Sequence, residues 1–187
     1  MRAFIAINLS PEIKKELAGL QEDLARSLAD VKWVETENIH LTLKFLGEVT
    51  EEYIEKVKTT LDAAVSGSKP FEISLSGLGA FPGLDNPRVV WMGLEKGARE
   101  IEVIAKKIED EFEKLGFAKE ERPFTAHLTI GRVRGSKNKD LLKSAIETRN
   151  AKHRTDNHQL VSSITLYQST LTSSGPIYTS LHAIELQ

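Results

Sequence analysis

The chain of 187 residues carries a formal net charge of −2 and contains no cysteine. This length suffices for one large domain or two small lobes with a buried core, and the absence of cysteine excludes disulfides, cysteine-based zinc sites and thiolate nucleophiles. The charge excludes a uniformly basic surface for nucleic acid, and the lack of a long apolar run predicts no membrane association and a cytoplasmic location.

Four helices are predicted from apolar residues that recur every three or four positions. Pro11 suits the opening turn of the first helix. Thr50, followed by two glutamates, is a typical N-cap and first turn of the second helix, and Gly116 is a typical stop for the third. The first helix is marked by Ile13, Leu17, Leu20, Leu24 and Leu28, and the others are expected from Thr50 to about Val65, over Ala98–Leu115 and over Asn138–Thr148.

Strands are predicted where apolar and polar residues alternate or where β-branched and aromatic residues cluster. Gly77 and Gly79 are expected to open a loop after the fourth strand. Helices beside mostly antiparallel sheets make the fold class α+β. The predicted strands are Phe4–Asn8, Val31–Glu35, Ile39–Leu46, Phe71–Leu75, Arg88–Leu94, Thr125–Val133, Leu160–Leu171 and Ile177–Leu186.

Two strings, His40–Leu43 and His127–Ile130, share the order histidine, aliphatic, threonine, aliphatic. With 5 His and 13 Thr among 187 residues, chance alone gives about 0.35 matches to histidine-x-threonine. On a strand, residues i and i+2 point to the same face, so each string aims one imidazole and one hydroxyl at a common spot. Two imidazoles and two hydroxyls suit acid–base chemistry on a phosphate. The plainer alternative is two ordinary strands that carry a polar stripe.

The two histidines lie 127 − 40 = 87 residues apart, and the predicted elements overlay when the chain is shifted by that amount. The shared unit is strand, helix, motif strand, helix, strand. A duplicated unit of this kind predicts a single bilobal domain over residues 1–187, with two pseudo-symmetric lobes and outer helices. The site is then expected in a central cleft between the lobes.

Three segments closely resemble the 2H phosphoesterase superfamily, and within it the RNA 2′,3′-cyclic phosphodiesterase branch, also called 2′-5′ RNA ligase. They are Val31–Val49, Arg122–Arg132 and Leu166–Tyr178. One departure is Ala126, where the family commonly has proline. The resemblance implies a bilobal fold with both motifs lining the cleft. It also implies a metal-independent, cofactor-free reaction on RNA ends or 2′-5′ linkages.

Opening a ribose 2′,3′-cyclic phosphate needs a base for water, an acid for the leaving oxygen and donors for the phosphoryl oxygens. Histidines suit the first two roles because their usual pKa of about 6.5 allows one to be neutral and the other protonated. Thr42 and Thr129 supply the hydroxyl donors for the phosphate. The residues alone leave the two histidine roles interchangeable. The resemblance implies that His127 is the general base and His40 the general acid, with a 2′-phosphate product and with reversible 2′-5′ RNA ligation.

Two further residues are candidates for substrate binding. Arg132 lies five residues after His127, as an arginine does in the family, and is expected to reach the phosphate or the adjoining nucleotide. Phe45 has the equivalent place after His40 and is expected either to stack on a base or to join the core. Lys44 and Arg134 are candidates for contacts with the RNA backbone, but a place at the solvated surface is the favoured interpretation.

A basic stretch follows the second motif and is expected to attract an anionic substrate locally. The other histidines have plainer interpretations: His153 and His158 are expected in a surface loop, and His182 is expected to be structural. The basic residues are Arg132, Arg134, Lys137, Lys139, Lys143, Arg149, Lys152 and Arg154.

Two alternative functions remain open. A non-catalytic module that binds RNA ends would keep the cleft, but it would not need a matched acid and base. A metallohydrolase would use His40 and His127 as ligands, but neither motif has an Asp or Glu at a partner position, and two ligands do not make a zinc site. The expected partners are RNA ends with a 2′,3′-cyclic phosphate or 2′-5′ linkages, tRNA fragments among them.

Overall fold

The structure is a computed structural model that describes residues 1–152, 157–173 and 175–187. In these ranges the chain forms two antiparallel sheets and four helices, which confirms the predicted α+β class. The strands are β1 (Arg2–Ile7), β2 (Val31–Trp33), β3 (Leu41–Glu48), β4 (Phe71–Phe81), β5 (Val89–Leu94), β6 (Leu128–Val133), β7 (His158–Val161), β8 (Ser163–Thr172) and β9 (Gly175–Glu185). The helices are α1 (Pro11–Ala25), α2 (Ile54–Val65), α3 (Ala98–Lys114) and α4 (Lys139–Lys152).

The two sheets are built alike, because in each one a motif strand (β3 or β6) pairs with the first strand of the repeated unit (β1 or β5). The first sheet has the order β3-β1-β8-β9, and the second has the order β2-β6-β5-β4-β7. In the first, β1 lies between β3 and β8; in the second, β5 lies between β6 and β4. Strand β4 from the first half of the chain therefore completes the second sheet, and β8 from the second half completes the first.

The helices cover the outer faces of the sheets. Helix α3 packs on β3 and against α2, whereas α1 packs on β6 and against α4, which also contacts β4. Strand β1 shows how the faces divide: Ile5 and Ile7 join the main core, and Phe4 and Ala6 lie in a separate small cluster on the opposite face. That opposite face forms one wall of the central cleft.

Helix boundaries differ from the prediction at several places, among them the end of α4, which lies at Lys152 and not at Thr148. Helix α1 ends at Ala25, and Leu28, expected on its apolar face, is 68% exposed and has a positive φ of 54°. The tight turn that leads to β2 ends the helix before Leu28 can reach the core. Thr50 gives no side-chain cap, because a 3₁₀ turn over Glu51–Tyr53 precedes α2.

Strand boundaries differ as well: the motif strands β3 and β6 begin at Leu41 and Leu128, after the expected starts at Ile39 and Thr125. The loop expected from Gly77 and Gly79 is instead part of β4, where Gly77 occupies a register irregularity with a φ of 77°. The single strand expected over Leu160–Leu171 is two strands, because the chain leaves the second sheet after Val161 and enters the first sheet at Ser163. The break between β7 and β8 is set by their different partners, since β7 pairs with β4 and β8 pairs with β9.

None of the described helices combines the length and the apolar character needed to cross a membrane.

Candidate active site

His40 and His127 each lie one residue before a motif strand, β3 and β6 respectively. In each case the ring Nδ1 approaches a carbonyl oxygen two residues earlier: Asn38 O at 2.8 Å and Thr125 O at 2.7 Å. A carbonyl accepts, so Nδ1 carries the proton and donates it. Each ring is thereby held in one orientation with Nε2 left for other partners.

The His40 ring packs among aromatic side chains of the first sheet. Its centroid lies 4.8 Å from that of Phe4 and 5.2 Å from that of Tyr178, whose ring meets it edge-on. Phe4 in turn stacks on Tyr167 at 5.3 Å. These residues line a cavity of about 490 Å³. The polar residues that also line it are Asn8, Glu37 and Asn38. The result is a cavity of nucleoside size beside one imidazole, with aromatic and polar walls.

The pKa of His40 is lowered from its usual value. The main cause is burial, which disfavours the charged imidazolium. The hydrogen bond to the Asn38 carbonyl opposes this shift, and the positive charge of Lys14 adds to it.

The His127 ring has a similar aromatic setting on the second sheet. Its centroid lies 5.1 Å from that of Phe81 and 6.5 Å from that of Trp91. Trp91 lies directly over Gly79, where a Cβ atom would come within 2.3 Å of the indole ring. Phe4 and Trp91 are themselves 87 residues apart, so the offset between the histidines could have located Trp91 from the sequence.

A β-bulge in each motif strand places the two candidate substrate-binding residues. In β3, Ala6 pairs with Thr42 and Ile5 with Lys44, which leaves one residue unpaired between them. Without the bulge, residues three apart would point to opposite faces; with it, Thr42 and Phe45 share the cleft face because they pair with Ala6 and Phe4. Phe45 is 62% exposed there, so it is not a core residue.

The same bulge occurs in β6. Trp91 pairs with Thr129, Val90 with Gly131 and Val89 with Arg132. Thr129 and Arg132 therefore also share the cleft face, although they too are three residues apart.

The buried amide of Gln21 holds the bulge in β6. Its Nε2 donates to the carbonyl oxygens of Val34 and Ile130, both at 2.8 Å. Ile130 is the unpaired bulge residue, and its carbonyl also accepts from the Val34 amide at 3.0 Å. Gln21 lies on α1, so a helix of the first half fixes the backbone between His127 and Arg132. No periodic pattern in the sequence signals this contact.

The charge of Arg132 acts on a residue of the opposite sheet. Burial raises the pKa of Tyr178 on β9 of the first sheet, and the positive charge of Arg132 on β6 of the second sheet opposes that rise. The Tyr178 ring meets the His40 ring edge-on.

Lys44 differs from its expected place at the solvated surface. Its side chain is 1% exposed, and its Nζ lies 2.8 Å from Glu109 Oε2 on α3. The same nitrogen donates to Ala118 O at 3.1 Å. The prediction was wrong because the bulge turns Lys44 toward the helix side of β3, where only a paired charge is tolerated.

Several residues of the basic stretch after the second motif have polar or acidic partners. Lys143 pairs with Asp85 at 2.6 Å and Arg149 with Asp23 at 3.4 Å, while Lys139 donates to Asn86 at 2.9 Å. These contacts tie α4 to neighbouring segments and reduce the positive field expected there. Arg154 lies outside the described residues.

Of the remaining histidines, His158 is exposed in β7, in place of the expected loop. His182 lies 2.8 Å from Asp62 and joins β9 to α2. His153 lies outside the described residues. In the part of the chain that the structure describes, no three His, Asp or Glu side chains come together as a metal-binding group.

Comparisons with known proteins agree with this geometry. A family model described as LigT-like phosphoesterase matches residues 7–91 and 93–178. A protein of Methanothermobacter thermautotrophicus named RNA 2′,3′-cyclic phosphodiesterase is 37% identical over 187 residues, which cover 100% of this chain and 99% of the relative. One of the same name from Methanocaldococcus jannaschii is 40% identical over 186 residues, with 95% and 96% covered.

Two solved structures show the same fold. The protein TT0787 of Thermus thermophilus superposes with a TM-score of 0.80 at 26% identity and covers 100% of this chain and 98% of its own. Escherichia coli LigT complexed with 3′-AMP gives 0.78 at 26% identity, with 99% and 97% covered.

Two facing antiparallel sheets, each with a histidine–threonine string at the start of a strand, define the 2H phosphoesterase class. Within that class, the chain belongs to the LigT-like phosphoesterase family.

Proposed function

We propose that this protein is an RNA 2′,3′-cyclic phosphodiesterase that uses His40 and His127 as an acid–base pair, without a metal ion or cofactor. The observation that carries the proposal is the matched placement of the two imidazoles, each of which donates from Nδ1 to its own backbone. Curated relatives that match along nearly their whole length bear the name of this activity.

The proposed reaction opens the cyclic phosphate with water. His127 Nε2 takes a proton from the water, whose oxygen bonds to phosphorus, and the bond between phosphorus and O3′ breaks. His40 Nε2 gives its proton to O3′, so the product has a 2′-phosphate and a free 3′-hydroxyl. Each such proton transfer typically contributes about 10²–10⁴ in rate.

Three other side chains stabilise the charge that builds up on the phosphoryl oxygens in this proposal. Thr42 and Thr129 donate their hydroxyl protons to the non-bridging oxygens. Arg132 shares the cleft face with Thr129 and adds a positive charge beside the phosphate. The hydroxyls avoid a second cation next to the histidines, which would lower the pKa of the one that must be protonated.

With a 5′-hydroxyl in place of water, the same proton transfers would join a 2′,3′-cyclic end to that hydroxyl: the 5′-oxygen bonds to phosphorus, the bond between phosphorus and O3′ breaks, and a 2′-5′ linkage results. The partners in the proposal are accordingly RNA ends with a cyclic phosphate or a 2′-5′ linkage, including tRNA fragments, in the cytoplasm. Support comes from the size and aromatic lining of the cavity beside His40, which fits a nucleoside.

Turnover of an oligonucleotide that ends in a 2′,3′-cyclic phosphate tests the activity. We expect hydrolysis to a 2′-phosphate at the same rate with and without excess chelator. A rate that disappears on chelation and returns with a divalent metal would contradict the metal-free mechanism. Tight binding without turnover would favour the RNA-end binding module.

The roles of the histidines are tested with a substrate in which sulfur replaces O3′, because a thiolate leaves without a proton. His40→Ala and His127→Ala should each lower kcat on the oxygen substrate by about 10²–10⁴. With the sulfur substrate, the kcat of the His40→Ala variant should be restored, whereas the kcat of the His127→Ala variant should stay low. Restoration of His127→Ala alone would show that the two roles are exchanged.

A further inference from the structure

The outer edges of the two motif strands differ, although the sheets are otherwise built alike. In the second sheet, β2 pairs with β6 through Val31–Trp33 and covers its outer edge. The offset of 87 places the counterpart of β2 at residues 118–120, where no strand forms. Among the described residues, β3 is therefore an edge strand with an open outer side.

A groove lies along this open edge. It has a volume of about 520 Å³ and runs between Phe45–Gly47 of β3 and the loop 117–122, which leads from α3 toward His127. The volume falls in the range of about 300–1,000 Å³ that is typical of small-molecule sites.

A buried ion pair holds the loop wall of the groove. Lys44 Nζ binds Glu109 Oε2 at 2.8 Å and the Ala118 carbonyl at 3.1 Å. The other oxygen of Glu109 accepts from the Glu120 amide at 2.8 Å. The proposed reaction does not use this pair, and an ion pair in this setting needs compensating hydrogen bonds. Its evident effect is to keep the loop at a set distance from β3.

The groove continues the catalytic cleft. Phe45, at its inner end, lies 6.2 Å from Phe4 between ring centroids, and Phe4 lies 4.8 Å from His40. The exposed Phe45 ring is thus next to the Phe4 ring, which lines the cavity beside His40. A strand of RNA whose terminal nucleoside occupies that cavity would reach the groove with its preceding nucleotide.

The side chains of the groove suit a nucleotide. Arg122 lies on the loop wall, and within the described residues its guanidinium has no hydrogen-bond or ion-pair partner. By contrast, the neighbouring Lys119 is paired with Glu113 at 3.0 Å. An exposed aromatic ring stacks on a base of any identity, and a free arginine binds a phosphate. Glu120 and Glu121 also line the groove and balance the charges of Lys119 and Arg122, so the groove has no excess positive charge that would attract a longer polyanion.

We propose that the groove between Phe45 and Arg122 binds the nucleotide that precedes the one bearing the cyclic phosphate, with its base on Phe45 and its phosphate at Arg122. This proposal rests on the proposed function and deepens it, because it makes a polynucleotide end a better substrate than a mononucleotide. The alternative occupant, a peptide strand added to the edge of β3, has no use for the free arginine.

The test compares kcat/KM for a nucleoside 2′,3′-cyclic phosphate with that for a dinucleotide ending in the same group. We expect the dinucleotide to be favoured about tenfold or more, the range that stacking of one base supplies. Phe45→Ala and Arg122→Ala should each bring that ratio toward one. Arg99→Ala, an exposed arginine at the start of α3, is the matched control and should keep the ratio.

A ratio near one in the unmodified protein, or a ratio that survives in both groove variants, would overturn the groove proposal while leaving the phosphodiesterase activity intact. If neither substrate is hydrolysed, the proposed function fails, and binding decides the groove separately. Dissociation constants are then compared for a nucleoside 2′-phosphate and a dinucleotide ending in a 2′-phosphate. The same tenfold preference, lost in the two variants, would support the groove, and equal affinities would reject it.

Discussion

At the scale of single residues, the two catalytic candidates have the same kind of backbone partner and similar aromatic neighbours. Each imidazole is oriented by a carbonyl two residues earlier. His40 is also packed between Phe4 and Tyr178, and burial lowers its pKa. A general acid with a lowered pKa transfers its proton readily, but it is protonated over a narrower range of pH.

Lys14→Met should move the limb of the pH profile that His40 controls. The Lys14 charge lowers the pKa of His40, so its removal should raise that pKa. If His40 is the acid, kcat/KM falls as pH rises through this pKa, and the alkaline limb should shift to higher pH in the variant. The measurement is the profile of kcat/KM, which reports the free enzyme.

The control for that profile is Lys15→Met, which removes an exposed lysine of the same helix that does not contribute to the shift of His40. Its profile should match that of the unmodified protein. A shift confined to the acidic limb in Lys14→Met would assign the base role to His40. No shift in either limb would show that His40 does not control the profile.

At the scale of elements, the two faces of β3 have different roles: one presents candidate site residues to the cleft, and the other packs against a helix. Thr42 and Phe45 face the cleft, while Lys44 faces α3 and pairs with Glu109. One bulge makes both possible, because it restarts the alternation of side chains within the strand. The motif strand is thereby fixed to the helix behind it at the point where it presents its site residues.

Lys44→Met should destabilise the protein by about 3 kcal/mol, because it leaves Glu109 without its buried partner. Adding Glu109→Gln should recover most of that loss, since the amide keeps an acceptor for the Glu120 amide and carries no charge. The free energy of unfolding from urea titration measures both variants. Lys106→Met, which breaks the exposed pair with Asp110, is the control and should have a much smaller effect. Equal losses in the single and double variants would contradict this account.

At the scale of the whole molecule, the two lobes exchange strands. Strand β4 pairs with β5 and β7 in the second sheet, and β8 pairs with β1 in the first. Each sheet therefore needs both halves of the chain. The helices are exchanged in the same way: α1 from the first half of the chain packs on β6 of the second half, and α3 from the second half packs on β3 of the first half.

Unfolding should accordingly be a single cooperative transition. Both tryptophans, Trp33 and Trp91, lie in the second sheet, so their fluorescence reports on that sheet, while far-UV circular dichroism reports on all elements. The two signals should follow the same urea curve. Separate midpoints would show that the lobes fold independently despite the shared strands.

Much of the secondary structure could be predicted because it depends on local patterns. The helix over Ala98–Lys114 follows from its apolar spacing, and the first strand follows from its apolar run. The break at Ser162 and the continuation of β4 through Gly77 could not be predicted, since both depend on which distant strand pairs with each residue.

The sequence by itself determined the family and the residues of the candidate site: two histidine–threonine strings, 87 residues apart, in a pattern typical of one enzyme class. The tertiary structure decided which other side chains accompany them. A bulge is set by pairing with β1 or β5, and it alone decides that Phe45 and Arg132 face the cleft and that Lys44 faces the core. Such long-range pairing leaves no periodic trace in the sequence, because shifting a strand by one residue reverses every face while leaving its composition unchanged.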